Sequence, residues 1–119
     1  MKVPIQYALT YPERMPLRVQ PLNLSSIGSL TFKKPDVEKF PALRLGFQAA
    51  REGGTVGATL NAANEVAVQA FLDGQIKFTE IASSVEKVIN NHHYIKNPCL
   101  EDVLAADDWA RQETKKCLM

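Results

Sequence analysis

A chain of 119 residues, 45% of them hydrophobic, has the length of one domain and enough apolar side chains for a modest core. Fourteen basic against thirteen acidic side chains leave a net charge of about +1, so no long-range field recruits nucleic acid, anionic lipid or an acidic substrate. No apolar run approaches the roughly 20 residues of a membrane helix, no signal-peptide order opens the chain, and Cys99 and Cys117 form no CxxC pair, so a soluble, cytoplasmic protein with free thiols is expected.

Five of the seven prolines fall at positions 4, 12, 16, 21 and 35. Each fixes φ and removes a backbone donor, so residues 1–35 are expected as an extended arm. One short helix fits at its start: Pro4 suits a first turn, where its missing N–H costs nothing, and Pro12 ends the helix near Tyr11. Ser29-Leu30-Thr31-Phe32 alternates polar and apolar over four residues, enough for at most one short strand or a strap.

Helical spacing takes over at Asp36, a candidate N-cap, and residues 36–119 are expected as a bundle of three to four helices. In the first, Phe40, Leu43, Phe47 and Ala50 form one stripe, stopped by Gly53-Gly54. The second carries Leu60, Ala63, Ala67, Val68, Phe71 and Leu72 on one face, with Gly57 as a candidate break and Gly74 near its end. Thr79 is expected to cap the third, in which Ile81, Val85, Val88 and Ile89 align. Beyond Pro98, Leu100, Val103 and Leu104 give one stripe and Ala106, Ala110 and Cys117 a shifted one, so a kink or a fresh start is expected at Asp107-Asp108. The fold class is therefore mainly α, a small bundle behind a Pro-rich arm.

No constellation in this pattern carries catalysis, a cofactor or a metal. His92 and His93 are adjacent and point about 100° apart on a helix, and His92 continues the third helix's stripe as a partly buried helix-end histidine. Gly53-Gly54-Thr55-Val56-Gly57 lacks the Lys-Ser/Thr pair of a phosphate-binding loop and reads as a helix stop. Asp102, Asp107 and Asp108 read as a solvated, capping face, and Trp109 and Tyr94 as packing residues. Asn64 stands out because helical spacing puts it on the core-facing side, where a buried amide needs hydrogen-bond partners and would fix register.

Val3-Pro4-Ile5-Gln6-Tyr7-Ala8-Leu9-Thr10-Tyr11-Pro12-Glu13-Arg14 and Thr59-Leu60-Asn61-Ala62-Ala63-Asn64-Glu65 resemble the carboxy-terminal third of the 1-deoxy-D-xylulose-5-phosphate reductoisomerase family. Ser29-Leu30-Thr31-Phe32, Ile76-Lys77-Phe78-Thr79-Glu80-Ile81 and Glu101-Asp102-Val103-Leu104 continue the resemblance in order, over essentially the whole chain. It implies a linker and helical domain belonging to an oxidoreductase of non-mevalonate isoprenoid synthesis. That parent enzyme would use NADPH and Mg or Mn to convert 1-deoxy-D-xylulose 5-phosphate to 2-C-methyl-D-erythritol 4-phosphate. It further implies that the NADPH-binding and catalytic domains are the partners, that the parent is a homodimer, and that this stretch alone is inactive. Met1 falls where a family methionine lines the substrate pocket, the one active-site role the resemblance carries over. The competing reading is a free-standing interaction module whose arm, through Val3, Ile5, Leu9, Leu17, Val19, Leu22, Leu24 and Ile27, binds a partner protein.

Overall fold

The computed structural model describes residues 1–118, and the secondary structure among them is entirely helical. Two compact units divide between Lys34 and Pro35. The first holds α1 (Lys2–Thr10) and a single turn, α2 (Leu24–Ile27). Pro4 sits in the first turn of α1, and Tyr11 ends it with extended dihedrals before Pro12. The Gln6 side-chain amide donates to the Pro16 carbonyl, and Arg14 lies 5.0 Å from the centre of the Tyr7 ring, which drapes the following residues back along the helix. Asn23 caps α2 by accepting from the Ser25 and Ser26 amides, a start signal too local to show in the apolar spacing. Ser29-Leu30-Thr31-Phe32 makes no strand. Four residues of alternation with no neighbouring strand leave the backbone unpaired.

The second unit is a bundle of four helices, α3 (Pro41–Glu52), α4 (Val56–Leu72), α5 (Phe78–Asn91) and α6 (Leu100–Leu118). α4 is central, packing most extensively against α6 and α5. The reason lies in its side chains: Ala62, Ala63 and Ala67 of α4, like Ala110 of α6, are wholly buried, and methyl-sized contacts let helix axes approach closely. Leu45, Val56, Val85, Val88 and Ile89 complete the cluster. Gly57 does not interrupt α4, which runs unbroken from Val56.

Three expectations about local signals are corrected. Asp36 accepts from the Glu38 and Lys39 amides and caps a separate turn, whereas α3 begins at Pro41 after Phe40. Thr79 is the second residue of α5, not its cap. Glu80 reaches back to accept the Lys77 amide proton at 2.6 Å, so the helix start is set one turn ahead of the carboxylate rather than by the hydroxyl. α6 is continuous through Asp107-Asp108. There Asp107 takes Arg111 one turn on at 2.6 Å, and the same guanidinium reaches Glu65 of α4 at 2.8 Å, so an acidic pair that reads as a break is tied into the helix. Glu101 and Asp102 in its first turn and Lys115 and Lys116 in its last complement the helix dipole.

Among the described residues, one buried side-chain oxygen in this core has no partner: the Thr59 hydroxyl, on a residue with no exposed surface. Leaving a hydroxyl unpaired in an apolar interior costs about 1–3 kcal/mol, and valine keeps the branched shape without it. Thr59→Val is therefore expected to raise stability by roughly 1 kcal/mol. Urea unfolding followed by circular dichroism checks this, and a clear loss would mean that the hydroxyl is bonded in solution.

Candidate docking groove

The stripe expected to face the core of α3 faces outward instead. Phe40 and Phe47 keep 58% and 52% of their surface exposed, while Leu45, with Ala49 partly buried beside it, turns inward. Phe78, at the start of α5, is 72% exposed and stands edge-on to Phe71 at 5.7 Å. The entry into α3, the middle of α4 and the start of α5 together enclose a groove of about 510 Å³. Phe40, Pro41, Val68, Phe78 and Ile81 give it an apolar lining, with Glu38 and Lys39 as polar edge. Asn64, Ala42, Ile81 and Ala82 also line a smaller recess of about 60 Å³ that reaches Leu45 and Val85, so the groove floor opens toward the core.

Two residues expected from the sequence to matter, Asn64 and Thr79, meet in this groove. Asn64 is exposed, not buried. The face α4 buries runs through Thr59, Ala62, Ala63, Ala67 and Ala70, one step round from the expected one, so the amide needs no inter-helix partner. Thr79 is likewise exposed. Met1 and Pro4 belong to the other unit, where Met1 is 94% exposed and its carbonyl accepts the Ile5 amide proton at 3.4 Å. Phe78 is absent from the sequence-derived set, because the capping pattern around Thr79 marks a helix start without saying which way the aromatic that begins it will face.

The groove's chemistry is that of a contact surface. Its lining is mostly apolar, and the exposed ion pair Arg44–Glu86 at 2.7 Å stands outside it. Among the described residues no group of three or more His, Cys, Asp or Glu has the arrangement to hold a metal ion. No described helix is long and apolar enough to cross a membrane. Exposed aromatics around a groove with a polar edge are the features of a surface that another protein segment covers.

Residues 1–113 match the family model described as DXP reductoisomerase C-terminal domain. The chain belongs to that family. It is 52% identical over 118 residues to the 1-deoxy-D-xylulose 5-phosphate reductoisomerase of Desulforamulus reducens and 49% identical over 116 residues to that of Halothermothrix orenii. These alignments cover 99% and 98% of the chain but 30% of each relative, so the chain spans under a third of their length. Among solved structures, the reductoisomerase of Zymomonas mobilis in complex with NADPH superposes with a TM-score of 0.86 at 38% identity, covering 98% of this chain and 31% of that one. A DOX-P reductoisomerase crystallised with fosmidomycin and magnesium gives 0.84, also at 38% identity and over 98% of this chain and 31% of that one. The family domain is thus a helical bundle here as in those relatives.

Proposed function

We propose that this chain works as the carboxy-terminal helical domain of a cytoplasmic, homodimeric 1-deoxy-D-xylulose-5-phosphate reductoisomerase. The parent activity is NADPH- and divalent-metal-dependent conversion of 1-deoxy-D-xylulose 5-phosphate to 2-C-methyl-D-erythritol 4-phosphate. The match of residues 1–113 to the family's C-terminal domain carries this reading. On this reading Mg or Mn and NADPH are held by the catalytic and NADPH-binding domains, which this one supports. Residues 1–35 act as the linker arm, and Met1 is the position proposed to touch substrate.

The partner is the catalytic and NADPH-binding portion of the enzyme, and the groove lined by Phe40, Phe78 and Val68 is the surface proposed to receive it. Asn64 and Thr79 then serve as polar groups on that surface rather than as a buried register lock and a helix cap. Burying one such aromatic against a partner is worth about 1.5–3 kcal/mol, enough to orient a domain that contributes no reacting atom. The test is a chimera in which this chain replaces the matched 118 residues of the Desulforamulus reducens relative. Substrate-dependent NADPH oxidation is expected from the chimera and none from the 119-residue chain alone. A folded chimera without activity, or turnover by the isolated chain, would overturn the proposal.

A further inference from the structure

At the ends of α3 and α5 remote from the groove, the turn between α3 and α4 is fastened to the connection between α5 and α6. The Thr55 amide donates to the Ile95 carbonyl at 3.1 Å, and the Ile95 amide donates to the Thr55 hydroxyl oxygen at 3.1 Å. The Tyr94 hydroxyl donates to the Glu52 carbonyl at 2.8 Å. His92 Nε2 lies 2.7 Å from the same Thr55 oxygen, and its ring centre lies 5.4 Å from that of Trp109 on α6. Thr55 has no exposed surface, so its hydroxyl proton must be used within this knot.

The donor count fixes the tautomer. The buried Thr55 hydroxyl proton needs an acceptor, and His92 Nε2 at 2.7 Å is the partner that can take it, so Nε2 is bare and the imidazole proton resides on Nδ1. We propose that His92 is an acid-opened latch: its neutral ring, accepting from Thr55 and tilted beside Trp109, holds the two connections together, and its protonation loosens them. With a proton on Nε2, the ring can only donate to the Thr55 oxygen, and the hydroxyl's own proton loses its acceptor on a residue closed to solvent.

Two influences oppose this. The carboxyl end of α5 and the face of Trp109 both favour a cation. Burial and the neighbouring His93 act the other way, and they hold His92 below its ordinary value of 6.5. Most carboxylates of the surrounding elements are engaged elsewhere: Glu52 of α3 takes Gln48, Glu65 of α4 and Asp107 of α6 take Arg111, and Asp102 takes Cys99, while the Asp108 carboxylate and the Lys96 ammonium are exposed to solvent. A base whose folded value is lowered binds fewer protons folded than unfolded between the two values. Stability is therefore complete above about 6.5 and falls as pH drops from there toward the folded value.

Trp109 is the chain's one tryptophan, and an adjacent imidazolium quenches indole emission, so fluorescence reads the latch directly. Titrating the 119-residue chain from pH 8 to 4 is expected to show emission falling with a midpoint below 6.5, while the protection factor of the Ile95 amide, its exchange corrected for the intrinsic slowing with falling pH, drops at least tenfold through the same midpoint and amides in the middle of α4 stay protected. His92→Gln is expected to remove the step, and His93→Gln to keep it with the midpoint moved up. A midpoint at or above 6.5, an Ile95 amide indifferent to the titration, or the same step in His92→Gln would overturn the proposal. Should the variant fail to fold, nitrogen chemical shifts of the wild-type imidazole decide the matter: Nε2 is expected unprotonated at pH 8, and a proton found there would overturn the latch.

Discussion

Gly54→Ala is expected to destabilise the domain by about 4 kcal/mol, while Gly53→Ala costs about 2 kcal/mol, although both glycines have positive φ. At Gly53, φ is +66° with ψ at −141°, a backbone region all but reserved for glycine, and a methyl group would meet nothing within 4 Å, so backbone strain alone applies. At Gly54, φ is +53°, and a methyl group would also run into the Ile95 carbonyl oxygen and approach the Tyr94 ring to 2.7 Å. That carbonyl accepts the Thr55 amide, and Tyr94 holds the Glu52 carbonyl, so neither can retreat without breaking a bond of the same knot. Chemical denaturation of the two variants in parallel measures the difference. Equal losses would show that the two connections are not in contact in solution.

Helix existence is legible in the sequence where a strong period meets a chemical stop, as in α3 before Gly53, and in α4 the turn at Gly74 marks the end although the period is weak. α5 is the clearest case: Val85, Val88 and Ile89 are among the residues it buries, and Ile81 packs against the cluster. Which side of a helix faces the core is less legible. In α3 the Phe40–Leu43–Phe47 stripe has the larger side chains, yet Leu45 is the buried residue. Periodicity reports that a face is apolar but not what covers it, and a stripe meant for another domain has the same spacing as one meant for the interior. In α4 the discrepancy has a related cause. Alanines and Thr59 carry little weight in a hydrophobic pattern, so Leu60 and Phe71 dominate it while the helix buries its smallest residues. The groove has no signature in the sequence because it is assembled from three helices, and no local pattern encodes their convergence. The latch is hidden for the same reason, since Thr55 and His92 are 37 residues apart.

Ala67→Leu and Ala110→Leu are expected each to cost about 2–3 kcal/mol, whereas Phe47→Ala in the isolated chain costs less than about 0.5 kcal/mol. Hydrophobicity alone predicts the opposite order, because the first two changes add apolar carbon and the third deletes an aromatic ring. The geometry reverses it. Ala67 and Ala110 have no exposed surface and belong to one cluster with Ala62, Ala63, Val85 and Val88. The larger side chain at either position can be housed only by driving α4 and its neighbours apart or forcing strained rotamers. Phe47 is half exposed on the outer face of α3, and its removal leaves no internal cavity. Thermal unfolding of the three variants in the 119-residue chain gives the order, and a Phe47→Ala loss as large as that of Ala110→Leu would place the ring in the domain's own core. In the chimera with the catalytic portion, Phe40→Ala and Phe78→Ala, at the two aromatics of the groove, should cost more than in the isolated chain by the worth of their burial, about 1.5–3 kcal/mol each. An excess confined to the chimera would mark those aromatics as the part of the sequence kept for the partner rather than for the bundle.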